Sequence, residues 1–132
     1  MKLQKQKKLV LESSFNSPPS FLYNFLSTPS GLSSWFCDDV SIKQSSLYCF
    51  FWGKSGYEAR IVGSKKDHFI RFSWLNEDKN VEENYFEFKI EQDSVTNNTF
   101  LIITSISHSG EHEIEEEDWV LMTKKLKQYI GG

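Results

Sequence analysis

Apolar and polar residues alternate along most of the chain from Val40 to Ser107, a pattern typical of β-strands that bury one face. The pattern predicts about six strands, separated by short segments rich in turn-forming residues. These strands cover residues 40–43, 46–52, 57–64, 69–75, 85–91 and 99–107. Because short turns connect them, we expect consecutive strands to pair as antiparallel hairpins.

The residues before this region predict one strand followed by two short helices. Residues 3–15 alternate weakly and form the first strand. Ser17 can cap a helix that starts at the two following prolines and carries apolar side chains at helical spacing over 20–27. Pro29 ends that helix, and residues 30–36 then form a second very short helix or a turn.

The hydrophobic period changes again near the C-terminus, where residues 114–130 predict one long helix. Acidic residues in its first turns and lysines near its end both suit the helix dipole. Its apolar stripe consists of Ile114, Trp119, Met122, Leu126 and either Tyr129 or Ile130. An antiparallel meander needs a cover on one face, and this helix is the element long enough to supply it.

The predicted fold class is therefore α+β, in one domain over residues 1–132. A curved antiparallel sheet of about six to seven strands wraps around the long C-terminal helix, with two short helices after the first strand. Such a sheet leaves a gap at its open end. The short helices and the segment 29–36 are placed to close that gap and could act as its gate.

Aromatic residues make up 15% of the chain, with eleven Phe, five Tyr and four Trp, which is a high share for a domain of 132 residues. Strand parity and helical spacing point many of them to the inside. They either fill a core or line an apolar cavity between the sheet and the helix, and the sequence leaves both interpretations open. The candidate cavity-lining residues are Trp35, Phe36, Tyr48, Phe50, Trp52, Phe72, Trp74, Phe86, Phe88, Leu101, Ile103, Trp119 and Met122.

Charge and apolar run lengths restrict the partners that we expect. The net charge of −3 argues against nucleic acid, whose phosphates require a surplus of Lys and Arg. Apolar runs are far shorter than the roughly 18 residues of a spanning helix, so stable membrane insertion is not expected. Only three apolar residues follow the basic N-terminus, too few for a secretory signal, and we expect a cytoplasmic protein.

Few residues have the spacing that metal or covalent chemistry needs. Cys37 and Cys49 lack metal-ligand spacing, and we interpret them as reduced thiols among apolar neighbours. His108 and His112 are four residues apart, but Ser109 and Gly110 lie between them. We therefore interpret them as solvated loop histidines and expect neither a metal ion nor a cofactor.

The acidic pairs and runs also have simple structural interpretations. The run 115–118 lies at a predicted helix N-terminus, where the dipole favours negative charge, although it could also bind a cation or a basic partner. Asp38 and Asp39 are predicted to be solvated or capping carboxylates rather than an acid–base pair. Tyr48 would place a hydroxyl inside, where backbone or water could satisfy it.

Several local motifs, in this order and spacing, resemble the START-like (SRPBCC) superfamily with its helix-grip fold. The resemblance covers nearly the whole chain and is greatest to small single-domain START-like proteins of Bacteroidetes, related to the heat-shock-protein ATPase-activator homology domain. The motifs are Pro18-Pro19, Thr28-Pro29-Ser30-Gly31-Leu32 before Trp35-Phe36, Phe50-x-Trp52 before the Gly53–Gly56 hairpin, Arg71-Phe72-Ser73-Trp74, Thr99-x-Leu101-x-Ile103 and Trp119.

The resemblance implies a fold and a cavity, while the activity depends on the side chains that line the cavity. The first hypothesis is a non-enzymatic protein that binds a small hydrophobic or lipid-like ligand between the sheet and the C-terminal helix. The second is a protein-interaction module resembling a chaperone ATPase activator, with a protein partner or a homodimer. The third is a cyclase-like enzyme, ranked last because no nucleophile–base pair is visible and no catalytic residue is assigned.

Overall fold

The computed structural model of the protein describes residues 6–76, 78, 81–108 and 114–131. Within these ranges the chain forms seven strands and three helices. The strands are β1 (Gln6–Phe15), β2 (Asp39–Gln44), β3 (Leu47–Trp52), β4 (Ser55–Lys65), β5 (Phe69–Leu75), β6 (Val81–Gln92) and β7 (Thr99–His108). The helices are α1 (Pro19–Ser27), α2 (Pro29–Trp35) and α3 (Glu116–Ile130).

All seven described strands join one antiparallel sheet in the order β1-β7-β6-β5-β4-β3-β2. Consecutive strands from β2 to β7 pair as neighbours, as the turn pattern predicts, and β1 adds to the outside of β7. The pairing register aligns inward residues across the sheet, so that Ala59 lies between Tyr48 and Trp74. A curved antiparallel sheet with a C-terminal helix is the predicted α+β helix-grip fold.

Helices α1 and α2 meet at a very tight junction around Thr28. This residue ends α1 and also caps α2, where its side-chain oxygen accepts a hydrogen bond from the Gly31 backbone N–H at 3.0 Å. Gly31 lies so close to α1 that an added Cβ would fall 2.2 Å from the Asn24 carbonyl oxygen. The absence of a side chain at Gly31 therefore allows the close approach of the two helices.

Helix α3 provides the apolar face that closes the concave side of the sheet. Trp119 and Leu126 are fully buried, and Met122 and Ile130 pack partly buried against the same core. Three acidic residues occupy its first turn, and Gly131 ends it in the left-handed conformation at φ 82°. None of the helices in the described ranges combines the length and apolarity that are needed to cross a membrane.

Three local predictions need correction. The strand after the charged loop begins at Val81 rather than at residue 85, because pairing with β5 extends the strand beyond its apolar stretch. Pro18, and not Ser17, is the N-cap of α1, and no side chain caps that helix. Helix α3 begins at Glu116 rather than at residue 114, and its stripe ends in Ile130, since Tyr129 is 61% exposed.

Candidate functional site

The structure brings all thirteen predicted cavity-lining residues into one apolar cluster. Eleven of them are buried, and Trp52 and Met122 pack against the cluster while half-buried. The buried ones are Trp35, Phe36, Tyr48, Phe50, Phe72, Trp74, Phe86, Phe88, Leu101, Ile103 and Trp119. Strand parity and the α3 stripe predicted the inward position of those on the strands and on α3, since each depends on one repeating geometry, while their role as the lining of a cavity stays a prediction.

Phe36 occupies the centre of this cluster, between the sheet and α3. Its ring is 5.0 Å from the ring of Phe86 and 5.2 Å from that of Phe50, measured between centroids. On the other side it stacks on Trp119, with the centroids 5.5 Å apart and the planes inclined by 26°. At this depth the side chain of Phe36 itself fills the space between sheet and helix, as the filled-core interpretation predicts.

Polar groups on three of the inner rings donate hydrogen bonds to backbone carbonyls at the open end of the sheet. The Trp35 indole N–H donates to the Phe25 carbonyl at 2.7 Å, and the Tyr48 hydroxyl donates to the Ser27 carbonyl at 2.8 Å. Trp52 donates its indole N–H to the carbonyl of Phe36 at 3.0 Å. These bonds fasten α1, α2 and the segment after α2 to the sheet.

Burial also lowers the acidity of the one hydroxyl among these three donors. Tyr48 lies among apolar side chains, and the loss of solvation raises the pKa of its hydroxyl above the ordinary value of 10.0. The Tyr48 hydroxyl therefore stays protonated at neutral pH and acts as a donor to α1. This is a structural role, which agrees with the prediction that backbone could satisfy it.

Trp119 differs from these rings. Its side chain is fully buried, yet its indole N–H has no hydrogen-bond partner among the described residues. Nearly all buried donors in folded proteins find an acceptor, because an unpaired one loses its hydration without compensation. The indole of Trp119 lies next to Phe36, Phe86 and Phe88.

An open groove of about 210 Å³ lies at the mouth of the domain, directly outside Phe36. We call it the mouth groove; the segment after α2, the end of β3 and one face of α3 form its walls. Its lining residues are Trp35, Phe36, Cys37, Asp38, Trp52, Leu121, Met122 and Lys125. Four of these belong to the predicted set, and the aromatic segment at 35–36 lies at the open end of the sheet, as expected.

Sequence reasoning missed the other four lining residues. Leu121 and Lys125 are exposed and one helical turn apart on α3, beside the apolar stripe rather than on it. Their i,i+4 spacing was the one feature of the sequence that could have placed both residues on the same face of α3. Asp38 and Cys37 were considered for chemistry, but no pattern in the sequence indicates that the segment after α2 faces α3.

Asp38 and Asp39 each accept a hydrogen bond from backbone. The Asp38 carboxylate accepts from the Gly53 N–H at 2.6 Å, and the Asp39 carboxylate accepts from the Val40 N–H at 2.9 Å. Both residues are exposed and bind backbone N–H groups, which agrees with the predicted solvated or capping carboxylates. Asp38 pins the hairpin after β3 against the rim of the mouth groove.

Cys37 is a protonated thiol at the edge of the mouth groove. Burial raises the pKa of its thiol to about 12, because the thiolate would lose its hydration. The thiol points to the Asp39 carbonyl oxygen at 3.4 Å. Such a thiol is a poor nucleophile at neutral pH, in agreement with its interpretation as a reduced apolar residue.

The predicted position of His108 in a solvated loop is wrong. His108 is the last residue of β7, and its side chain is 19% exposed. Its backbone N–H donates to the Asn84 side-chain oxygen at 2.8 Å, which satisfies the end of the strand ladder. His112 lies outside the described residues. Within those residues no group of three His, Cys, Asp or Glu side chains is arranged to hold a metal ion.

A second, wider depression lies on the outer surface of α3, which we call the outer groove. It has a volume of about 540 Å³ and is lined by Glu116, Glu117, Val120 and Leu121. Leu121 is 62% exposed and lines both grooves. The lining of the outer groove thus combines the apolar Val120 and Leu121 with acidic side chains towards the start of the helix.

Together, a curved antiparallel sheet, a C-terminal helix on its concave face and a groove at the open end define a helix-grip domain. The family profile described as START-like superfamily domain matches residues 3–132. The chain therefore belongs to the START-like superfamily. Among proteins with curated function, none matches the chain at a significant level.

Solved structures of several bacterial proteins are similar to this fold. The Aha1 dimer of Colwellia psychrerythraea matches with a TM-score of 0.71 and 20% identity, over 94% of this chain and 96% of that one. BfR322 of Bacteroides fragilis is 31% identical, with a TM-score of 0.59, over 96% and 88% of the two chains. CalU16 of Micromonospora echinospora matches with a TM-score of 0.70 and 13% identity, over 97% and 85%.

Proposed function

We propose that the protein binds a small amphipathic molecule in the mouth groove without transforming it. The observation that carries this proposal is the position of the groove. Trp35, Phe36, Trp52 and Met122 line it with apolar side chains at the open end of the domain. Apolar side chains with a few polar groups at one side are the usual lining of small-molecule sites.

The volume of the groove limits the size of the ligand. At about 210 Å³ it is smaller than the roughly 300 Å³ at the lower end of typical ligand pockets. A two-chain lipid would not be enclosed, whereas a short alkyl chain or a single ring would be. Each buried methylene of such a ligand contributes about 0.8 kcal/mol from its removal from water.

The polar groups at the rim indicate how a ligand would be oriented. Lys125 is an exposed cation at the rim, whereas the carboxylate of Asp38 already accepts the Gly53 N–H. A polar or anionic head can therefore remain in water beside Lys125 while the apolar body enters the groove. Because the ammonium is exposed, its contribution would be small, about 0–1 kcal/mol.

A chain-length series tests this proposal. We expect the affinity for straight-chain carboxylates from hexanoate to decanoate, measured by calorimetry, to rise about fourfold per methylene while the chain still fits the groove. The increase should end once the chain fills the groove. Equal affinity for all chain lengths, or no binding by any of them, would contradict the proposal.

A matched pair of variants on α3 locates the binding. Met122→Gln places an amide in the wall of the mouth groove, and we expect it to weaken binding of octanoate about tenfold. Val120→Gln changes a residue of the outer groove that does not line the mouth groove, and should leave the affinity unchanged. The reverse result would place the ligand on the outer surface of α3.

A protein-interaction role is the second candidate function, and the outer groove favours it. Leu121 and Val120 are exposed apolar residues beside Glu116 and Glu117, so a basic amphipathic segment would complement this surface in both polarity and charge. The similar Colwellia protein is a dimer, and a homodimer is the other partner that we consider for this chain.

Analytical ultracentrifugation separates these possibilities. If the chain forms a homodimer through the outer groove, Leu121→Glu should shift a dimeric wild-type protein to the monomer. If the wild-type protein is monomeric, binding of a lysine-rich amphipathic helical peptide should be lost in Leu121→Glu and weakened by salt. A monomer that binds no such peptide would exclude this function.

A further inference from the structure

We propose that the indole N–H of Trp119 is a specificity-determining donor for the ligand of the mouth groove, and that it selects a neutral hydrogen-bond acceptor at the inner end of that ligand. The inference rests on the proposed function and adds the chemical class of the ligand. That class is an apolar body that ends in a ketone, ester, ether or hydroxyl oxygen.

The first argument is the state of the donor. Trp119 is fully buried, and its Nε1–H is without a partner within the described residues. The three donors that fasten the mouth, on Trp35, Tyr48 and Trp52, all reach backbone carbonyls within 3.0 Å. The Trp119 donor is therefore an exception in this cluster, and a buried donor left unpaired costs about 1–3 kcal/mol.

The second argument is the path from the groove to this donor. Phe36 lines the mouth groove on one side and stacks on the Trp119 ring on the other, with the centroids 5.5 Å apart. One side chain thus separates the groove from Trp119. A rotation of the Phe36 side chain would extend the groove inward to Trp119, so that the leading end of a ligand could take the place of the Phe36 ring.

The third argument concerns the charge of the acceptor. The rings of Phe36, Phe86 and Phe88 lie against Trp119, and these apolar rings offer no compensation for a buried negative charge. An ionised carboxylate would lose several kcal/mol of hydration there, far more than one neutral N–H donor returns. The inner end of the ligand must therefore be a neutral acceptor, while an anionic group is restricted to the rim near Lys125.

Two probes of nearly equal shape test the inference, namely acetophenone and α-methylstyrene. Acetophenone carries a carbonyl oxygen where α-methylstyrene carries a methylene group, so only acetophenone can accept a hydrogen bond from the indole N–H. We expect acetophenone to move the indole proton signal of Trp119 downfield in a ¹⁵N-resolved NMR spectrum of the wild-type protein. α-Methylstyrene should not move it in that direction.

Affinities provide the second measurement. The carbonyl is better hydrated than the methylene group, so the informative quantity is the change in the affinity ratio of the two probes between the wild-type protein and Trp119→Phe. We expect the ratio of acetophenone to α-methylstyrene affinity to fall about three- to tenfold when the N–H is removed. If Trp119→Phe does not fold, the indole shift in the wild-type protein decides alone.

A third variant examines the path. Phe36→Leu keeps an apolar side chain but shortens the barrier, and both probes should bind more tightly to it by a similar factor. A decrease in the affinity for both probes would contradict the role of Phe36 as the barrier between the groove and Trp119.

The outcomes separate this inference from the proposed function. Binding of both probes with an unchanged ratio in Trp119→Phe and no selective indole shift would overturn the role of Trp119 while the mouth groove remains a binding site. An upfield indole signal that neither probe moves would show that the N–H already points at a ring such as that of Phe88, and would also overturn it. Failure of both probes to bind would reject the proposed function as well.

Discussion

At the residue scale, the aromatic side chains of this domain have two different tasks. Trp35, Tyr48 and Trp52 are apolar on one side and use their polar atoms to hold backbone carbonyls at the mouth. Phe36 and Trp119 have no such attachment in the described residues and instead face each other under α3. The first set attaches the mouth to the sheet, and the second set packs ring against ring in the interior.

Loss of one of these attachments should lower stability by a modest, measurable amount. Tyr48→Phe removes only the hydroxyl that donates to Ser27, and we expect the free energy of unfolding to fall by about 1 kcal/mol in urea titrations. The matched control is Tyr129→Phe, since Tyr129 is 61% exposed, and it should change stability very little. Equal effects of the two substitutions would show that the Tyr48 hydroxyl does not fasten α1.

The buried thiol of Cys37 predicts a loss of stability in alkali. Its pKa is about 12 in the folded protein and near the ordinary value of 9.0 when unfolded, so between these values the unfolded chain binds fewer protons. Unfolding is then favoured as the pH rises above about 9, because deprotonation occurs first in the unfolded state.

Urea titrations of the wild-type protein and of Cys37→Ala at pH 7, 9 and 10 measure this contribution. Burial also raises the pKa values of Tyr23 and Tyr48, and these residues therefore lower the free energy of unfolding at high pH in both proteins. The difference in the free energy of unfolding between the wild-type protein and Cys37→Ala should therefore become smaller, or reverse in favour of Cys37→Ala, as the pH rises. A difference that is constant over this range would contradict the raised pKa of the Cys37 thiol.

At the element scale, most of the fold could be predicted, because the regular geometry of strands and helices produces a matching period of apolar residues in the sequence. Strand β5 was predicted with its observed ends, since apolar alternation and pairing cover the same residues there. The first residues of β6 were assigned to a loop, because three charged or amide residues follow Val81 in the sequence, whereas the pairing of Val81 with Leu75 of β5 makes them part of the strand. The local sequence pattern carries no information about this pairing with another strand.

The candidate site was predictable only in part for the same reason. Residues on the inward face of a strand, such as Phe50 and Phe86, follow from parity alone. Leu121 and Lys125 belong to the mouth groove because α3 passes next to the segment after α2, a relation between distant parts of the chain. No pattern within either segment contains it.

The junction between α1 and α2 predicts an effect of its own. Gly31→Ala would place a Cβ 2.2 Å from the Asn24 carbonyl oxygen and 2.6 Å from the Phe25 Cα, so the helices must separate. We expect a loss of about 2–3 kcal/mol in the free energy of unfolding, and a shifted indole NMR signal of Trp35, which donates to Phe25.

Gly53→Ala is the control for this junction. Gly53 has a φ of 63°, but an added Cβ there would meet nothing within 4 Å. Its replacement should cost about 1 kcal/mol through backbone strain alone and leave the Trp35 signal in place. If Gly31→Ala lowers the free energy of unfolding less than Gly53→Ala does, the junction between α1 and α2 can accommodate the added Cβ, which would contradict this prediction.

At the scale of the whole molecule, membership of the START-like superfamily accounts for the fold, whereas the function depends on side chains rather than on the fold. Among the described residues, Phe36 lies at the centre of the ring cluster, and the mouth groove lies outside it. A larger ligand would have to displace that ring. The outer groove on the exposed surface of α3 is a separate depression, for which we propose a partner chain as the second candidate.

The most direct test of the mouth groove is a set of intermolecular nuclear Overhauser effects between bound octanoate and the protein in solution. We predict contacts from the alkyl chain to the Met122 methyl and to the rings of Trp35 and Trp52, and none to the Val120 methyls. Contacts to Val120 without contacts to Met122, or octanoate signals unaffected by the protein, would contradict binding at the mouth of the domain.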